Sequence, residues 1–156
     1  MDSTQLYQEI ILDHTKKPRN WGKVEGCTHQ SEGLNPLCGD HIWVTLKVAD
    51  DAIENVAFEG TSCAICKASA SMMTTAVKGK SLAAAETLVQ EFREMATGKL
   101  DIAGTHHLGR LTVFAGVRDL PARVKCAILP WHTLHAAFAR EATISTEGEK
   151  DPFANA

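Results

Sequence analysis

The residues able to do chemistry in this 156-residue chain are five cysteines and one aspartate placed beside one of them. Cys38 stands in "NPLCGD", Asn35 to Asp40, where Asn, Pro and Gly bend the backbone. Cysteines are more often buried inside apolar elements. In an extended segment, residues two apart point the same way, so "CGD" offers a sulfur and an oxygen on one side, and Gly39 frees the backbone to curve around what is bound. Cys63 falls where a strand runs into a helix N-terminus, whose free N–H groups and positive dipole end favour thiolate. Cys126 falls in the first turns of a later helix, after Arg123 and Lys125, and nearby cations lower a thiol pKa. All three cysteines lie at the ends of elements, where ligating groups concentrate. Cys38, Asp40, Cys63 and Cys126 together supply four donors, the number tetrahedral zinc takes. Arg123 and Lys125 could offset the negative charge of such a site.

The other candidates carry less. A lone cysteine is commonly a small hydrophobe, and Cys27 has no supporting neighbour. Cys66 completes "CAIC" with Cys63, a Cys-x-x-Cys pair opening a helix as in thioredoxin-like proteins. Thiol–disulfide exchange would want further βα units after the motif, and Ala64-Ile65 stands where Gly-Pro is usual. His14, His29, His132 and His135 suit packing or surface positions. His41 should point away from Asp40, and His106 and His107 form a pair in an irregular region.

Several elements must position these groups. "TQLYQEIILDH" has helical spacing and is stopped near Pro18. Residues 26–34 are ambiguous between strand and loop. "HIWVTLKV" alternates, "ADDA" turns, and "IENVAFEG" alternates again with one irregularity, so the pair reads as an antiparallel hairpin. A helix is expected from Cys63 to Lys78, capped by Thr61 or Ser62 and stopped by Gly79. A second begins after Ser81, buries Ala85, Leu88, Val89, Phe92 and Met95, and ends at Gly98. Residues 99–118 show no clear period. A last helix starts near Pro121 with Asp119 as cap, and Pro130 should kink or restart it. Strands grouped before helices give an α+β fold, a small antiparallel sheet of about three strands against several helices.

The totals are those of one globular domain, taken as residues 1–142, with 143–156 a polar, fraying tail. Net charge is −3 and no basic cluster interleaves with aromatics, so nucleic-acid binding has no support. No apolar run approaches the roughly 20 residues a membrane span needs. "MDSTQLYQEI" lacks a signal-like block, and an odd cysteine count argues against a disulfide framework, so the expected location is cytoplasmic.

Four motifs in order, "LYQEIILDHTKKPRN", "NPLCGD", "FEGTSCAICKASASMM" and "LPARVKCAIL", resemble the U-type proteins of iron–sulfur cluster assembly, the SufU/IscU/NifU N-terminal family. With the strands between, the resemblance spans residues 4–140. It is to the SufU branch: Lys125 stands before Cys126 where the IscU type has histidine, and residues 99–118 look like the SufU-type insertion. "LPARVK" replaces the Leu-Pro-Pro-Val-Lys chaperone motif. Cys66 stands where serine is common. The resemblance implies zinc on Cys38, Asp40, Cys63 and Cys126, with Cys38 as sulfur acceptor. It implies a cysteine desulfurase partner of the SufS kind, and apo iron–sulfur proteins or downstream assembly factors beyond it.

Zinc keeps thiolates deprotonated but dampens their reactivity, so a ligand must be released before it attacks. Cys38, on a glycine-adjacent loop, is the easiest to release, a partner residue taking its place, and Arg123 could position the incoming sulfur. Three rival readings stay open at this point. The same thiolates could assemble and pass on a [2Fe–2S] cluster, because zinc and iron–sulfur clusters accept similar ligands. Cys63 and Cys66 could exchange disulfides, or the zinc could be structural only.

Overall fold

The computed structural model describes residues 3–146, of which residues 3–7 are described by backbone alone. The chain runs α1 (Ser3–Lys16), β1 (His29–Asn35), β2 (Asp40–Ala49), β3 (Ala52–Thr61), α2 (Ala64–Val77), α3 (Leu82–Ala96), a 3-10 segment (Gly109–Asp119), α4 (Pro121–Phe138) and β4 (Thr143–Ser145). The class is α+β, as the grouping of strands before helices predicts.

The sheet has four strands rather than three, in the order β3-β2-β1-β4. β1, β2 and β3 form an antiparallel meander, and the ambiguous segment before Asn35 is its first strand. The "DD" turn between β2 and β3 holds Asp50 and Asp51 at φ +53° and +60°, the left-handed pair a tight hairpin needs. The irregularity expected in β3 is a register shift opposite Lys47 and Val48. The added strand, β4, lies parallel to β1, pairing Gly33 with Ile144. It begins at Thr143, where the sequence reading starts a tail, and it forms because α4 returns the chain to the free edge of β1. Residues 147–156 of that tail lie outside the described residues.

One face of the sheet is covered by helices. Ile42, Val44 and Leu46 of β2 and Val56 and Phe58 of β3 are buried there, as alternation requires. α4 lies across β1 and β2, α2 against β3, and α1 and α3 against α2 and α4. Phe92 of α3 stacks on Trp131 of α4 at 4.7 Å, and Phe114 of the 3-10 segment meets Phe92 edge-on, so residues 109–119 are packed into the core. His107 fastens the start of that stretch. Its backbone N–H and Nδ1 both bond Glu91 of α3, at 2.7 and 2.9 Å, while His106 bonds the Ile102 carbonyl.

α4 passes through Pro130 as one continuous helix, not a restart. Proline has no N–H for the turn before it and its ring crowds the carbonyls there. Ser69 of α2 compensates: its Oγ donates to the Ala127 carbonyl at 2.6 Å and accepts from Trp131 Nε1 at 3.1 Å. The α4 cap also differs from expectation. The 3-10 segment includes Asp119 and feeds straight into α4, leaving Leu120 at the N-cap without a side-chain bond and Pro121 in the first turn.

α4 approaches β1 so closely that a Cβ on Gly33 would overlap Thr133 Oγ1. Gly33→Ala is therefore expected to destabilise the protein by about 1–3 kcal/mol, the usual cost of overpacking. A denaturation midpoint equal to the parent's would show that α4 can give way.

Candidate metal centre

The β1–β2 hairpin builds the first wall. Asn35 and Asp40 are the last paired residues of the ladder, and Pro36 to Gly39 close the turn between them. The segment is thus a reverse turn rather than extended. The Cys38 N–H donates to the Asn35 carbonyl at 3.2 Å, and Gly39 takes φ +71°, which L side chains rarely adopt. This turn leaves Cys38 exposed and Asp40 1% exposed. α4 supplies the second wall: Cys126, in its second turn, is wholly buried. The sulfurs of Cys38 and Cys126 stand 3.1 Å apart. A donor atom from each of Cys38, Asp40 and Cys126 falls within 4.8 Å of the other two.

Cys63 borders this trio. Thr61 and Ser62 do not cap α2, as the sequence suggested; Cys63 does, its sulfur accepting the Cys66 N–H at 3.4 Å. Its own N–H donates to Asp40 Oδ1 at 2.7 Å, joining the helix end to the hairpin. Its sulfur stands near enough to Cys126 to help raise that thiol. Among the described residues Cys63 does not complete a four-donor set with the trio in this arrangement.

Arg123 is exposed, three residues before Cys126 on α4. Its guanidinium faces Cys126, whose interaction with it, with the charges of Cys63 and Cys38 adding, favours the cation. Lys125 lines a different hollow with Arg93 and His132, so Arg123 is the cation at the sulfurs. His41 bonds Glu32 Oε2 and stacks on Trp43, away from the cluster. Cys27 lies before β1, outside the cluster.

A residue the sequence reading passed over is Asn35, treated there only as a turn former. Fully buried, it donates from Nδ2 to Asp40 Oδ2 at 3.1 Å and lies 3.6 Å from the Cys126 sulfur, while its Oδ1 accepts from Thr146 Oγ1 at 3.1 Å. The signal for it was the hairpin itself, which sets Asn35 opposite Asp40.

Burial drives the Cys126 thiol far above its ordinary range. The Cys38 hydrogen bond and the charges of Cys63 and Asp40 push the same way. Burial likewise raises Cys66, with Asp40 and Cys63 adding to it. Cys66 is wholly buried, and a thiol so placed is a poor attacking group, which weighs against disulfide exchange with Cys63. The donor set suits a thiophilic divalent cation. Several sulfurs and a buried carboxylate crowd together, and the hydrogen bonds to Asp40 come from the neutral N–H groups of Asn35 and Cys63. A cation among them would reverse the pressure that keeps protons on the sulfurs. Zinc fits by ligand type, with Cys38, Asp40 and Cys126 in reach and Cys63 beside them.

A small α+β domain that gathers thiols and a carboxylate from a hairpin turn and two helix starts is a thiolate-ligand protein by construction. The chain belongs to the family of the NifU-like N terminal domain, whose profile matches residues 6–127. It is 41% identical over 136 residues to the zinc-dependent sulfurtransferase SufU of Bacillus subtilis strain 168, covering 87% of this chain and 91% of that one. It is 42% identical over 137 residues to the iron-sulfur cluster assembly scaffold protein IscU of Streptococcus pyogenes serotype M1, covering 88% and 85%. A crystal structure of a candidate iron-sulfur cluster assembly scaffold protein for the SUF system, from Fervidobacterium islandicum AW-1, superposes with TM-score 0.77 at 34% identity, over 87% of this chain and 98% of that one.

Proposed function

We propose that the protein serves iron–sulfur cluster assembly as a zinc-dependent sulfur acceptor, taking sulfur from a cysteine desulfurase on Cys38. One observation carries this reading: Cys38 is exposed on a glycine turn, whereas Asp40 and Cys126 beside it are buried. An acceptor must meet a partner's persulfide, and only the exposed thiol of the trio can. Asp40, Cys63 and Cys126 would hold zinc together with Cys38. The metal's contribution is to keep these sulfurs deprotonated at neutral pH.

In the transfer, the Cys38 thiolate attacks the outer sulfur of the partner's cysteine persulfide. A new S–S bond forms on Cys38 as the partner's S–S bond breaks. The electron pair returns to the partner's cysteine, which leaves as thiolate, and no net oxidation occurs. Arg123, already at the sulfurs, would steady the anionic persulfide. The sulfur then passes to downstream assembly factors or apo iron–sulfur proteins. Five free thiols suit a reducing compartment such as the cytoplasm, and no helix among the described residues is long and apolar enough to cross a membrane.

The resemblance to IscU favours a second reading, in which the same donors build a [2Fe–2S] cluster and hand it on. Metal analysis joined to a desulfurase assay separates the two. Sulfur relay predicts bound zinc and a turnover of cysteine raised about tenfold or more by the protein, about 1.4 kcal/mol of barrier. Unchanged turnover, with zinc displaced by iron and a cluster transferred to an apo-protein, would overturn it.

A further inference from the structure

Cys63 caps one end of α2 and Lys78 the other, so the two ends stand roughly 20 Å apart at the helical rise. At the Lys78 end lies a hollow of about 430 Å³, walled by α1, α2, α3 and the 3-10 segment. Its rim carries His14, Lys78, Lys80, His107 and Arg110, and its floor is apolar, with Met72, Leu88 and Leu111. Among the described residues no carboxylate lines it.

Among the described residues no carboxylate pairs with Lys78, Lys80 or Arg110, and Glu91 is engaged with His107. Lys78 and Lys80 stand at and just beyond the C-terminal end of α2, where the negative end of the helix dipole favours nearby cations. Arg110 comes from a different element and turns to the same hollow, adding like charge to like charge. His14 joins them from α1, its ring bonded to Ser71 Oγ at 2.7 Å. Burial, together with the charges of Arg19 and Arg110, holds that imidazole below its usual range despite Asp13. The hollow therefore presents three fixed positive charges on an apolar floor, with an imidazole ready to gain a proton when an anion enters.

We propose that this hollow binds a diphosphate group, free or carried by a nucleotide. A diphosphate brings roughly three negative charges at neutral pH, matching Lys78, Lys80 and Arg110, whereas a monophosphate leaves cations unmatched. The volume lies in the range of small-ligand sites. Among the described residues the lining holds no Trp, Tyr or Phe, so what these residues recognise is phosphate rather than a stacked base. The site is separate from the sulfur chemistry, and its failure would leave that reading untouched.

The test is calorimetry on the zinc-loaded full chain at physiological salt, with pyrophosphate, ADP, orthophosphate and a hexaglutamate peptide in separate titrations. Pyrophosphate is expected to bind at least about tenfold more tightly than orthophosphate. ADP binding as tightly as pyrophosphate assigns a nucleotide's diphosphate, and weaker binding assigns the free ion. The double variant Lys80→Gln/Arg110→Gln should weaken pyrophosphate about tenfold or more while keeping the parent's zinc content and melting temperature. On the parent protein, saturating pyrophosphate should raise the His14 pKa followed by NMR. Equal affinity for pyrophosphate and orthophosphate, an undiminished double variant, or binding of hexaglutamate but not pyrophosphate would each overturn the proposal.

Discussion

Cys38→Ala is expected to abolish sulfur acceptance, returning desulfurase turnover to the level seen without the protein, while leaving the fold intact. The reason is the division of labour around the hairpin turn. Cys38 is exposed, and the hydrogen bond that shapes the turn uses its backbone N–H, which alanine keeps. In the metal-free protein an exposed substitution of this kind changes stability by about 0.5 kcal/mol or less. Chemistry and folding should therefore separate in this variant. Desulfurase assays with parent and variant, beside denaturation curves for both, read the two effects. Stimulation that survives in a folded variant would mean that sulfur lands elsewhere.

Asp40→Ala should do the opposite and damage both the metal site and the scaffold. The carboxylate accepts from Asn35 Nδ2 at 3.1 Å and from the Cys63 N–H at 2.7 Å in a buried position. Truncation strands both donors, and leaving a buried donor unmade costs about 1–3 kcal/mol each. The metal-free protein should lose roughly 2–4 kcal/mol in urea denaturation. Zinc affinity, measured by competition with a chromophoric chelator, should fall by about 100-fold or more, beyond the loss typical of outer-shell changes. Asp40→Asn, which keeps an acceptor for Cys63, should recover part of the stability but not the affinity. Parent-like zinc affinity in Asp40→Ala would remove this carboxylate from the ligand set.

Much of this architecture is legible in the sequence, for reasons that differ by element. The β2–β3 hairpin shows because alternation and a polar turn are local properties. α3 shows because Ser81, its apolar stripe and Gly98 all agree. The meeting of Cys38, Asp40 and Cys126 is foreshadowed by their positions at element ends, although no local pattern places α4 above the hairpin. What escapes depends on tertiary neighbours. β4 is three residues long and has no strand signal of its own; it exists because the edge of β1 is free. Pro130 reads as a break because the compensating hydroxyl, Ser69, belongs to another helix. Cys63 acting as its own cap is hidden because Thr61 and Ser62, better cap residues by type, stand beside it, while β3 runs on through Thr61. Asn35 is masked by its ordinary meaning as a turn residue.

The bond from Thr146 to Asn35 also bears on how the protein is made. Asn35, which steadies Asp40, is held by a residue 111 positions later, and Cys126 comes 88 positions after Cys38. During synthesis the hairpin emerges first and can pair at once, because its contacts are local. Its acidic and sulfur-bearing end then waits for α4, and the parallel edge strand is added last. The metal site is thus among the last parts of the domain to be finished. A nascent chain stalled before α4 would expose Cys38 without its buried companions, so capture of the metal by the complete ligand set coincides with completion of the fold.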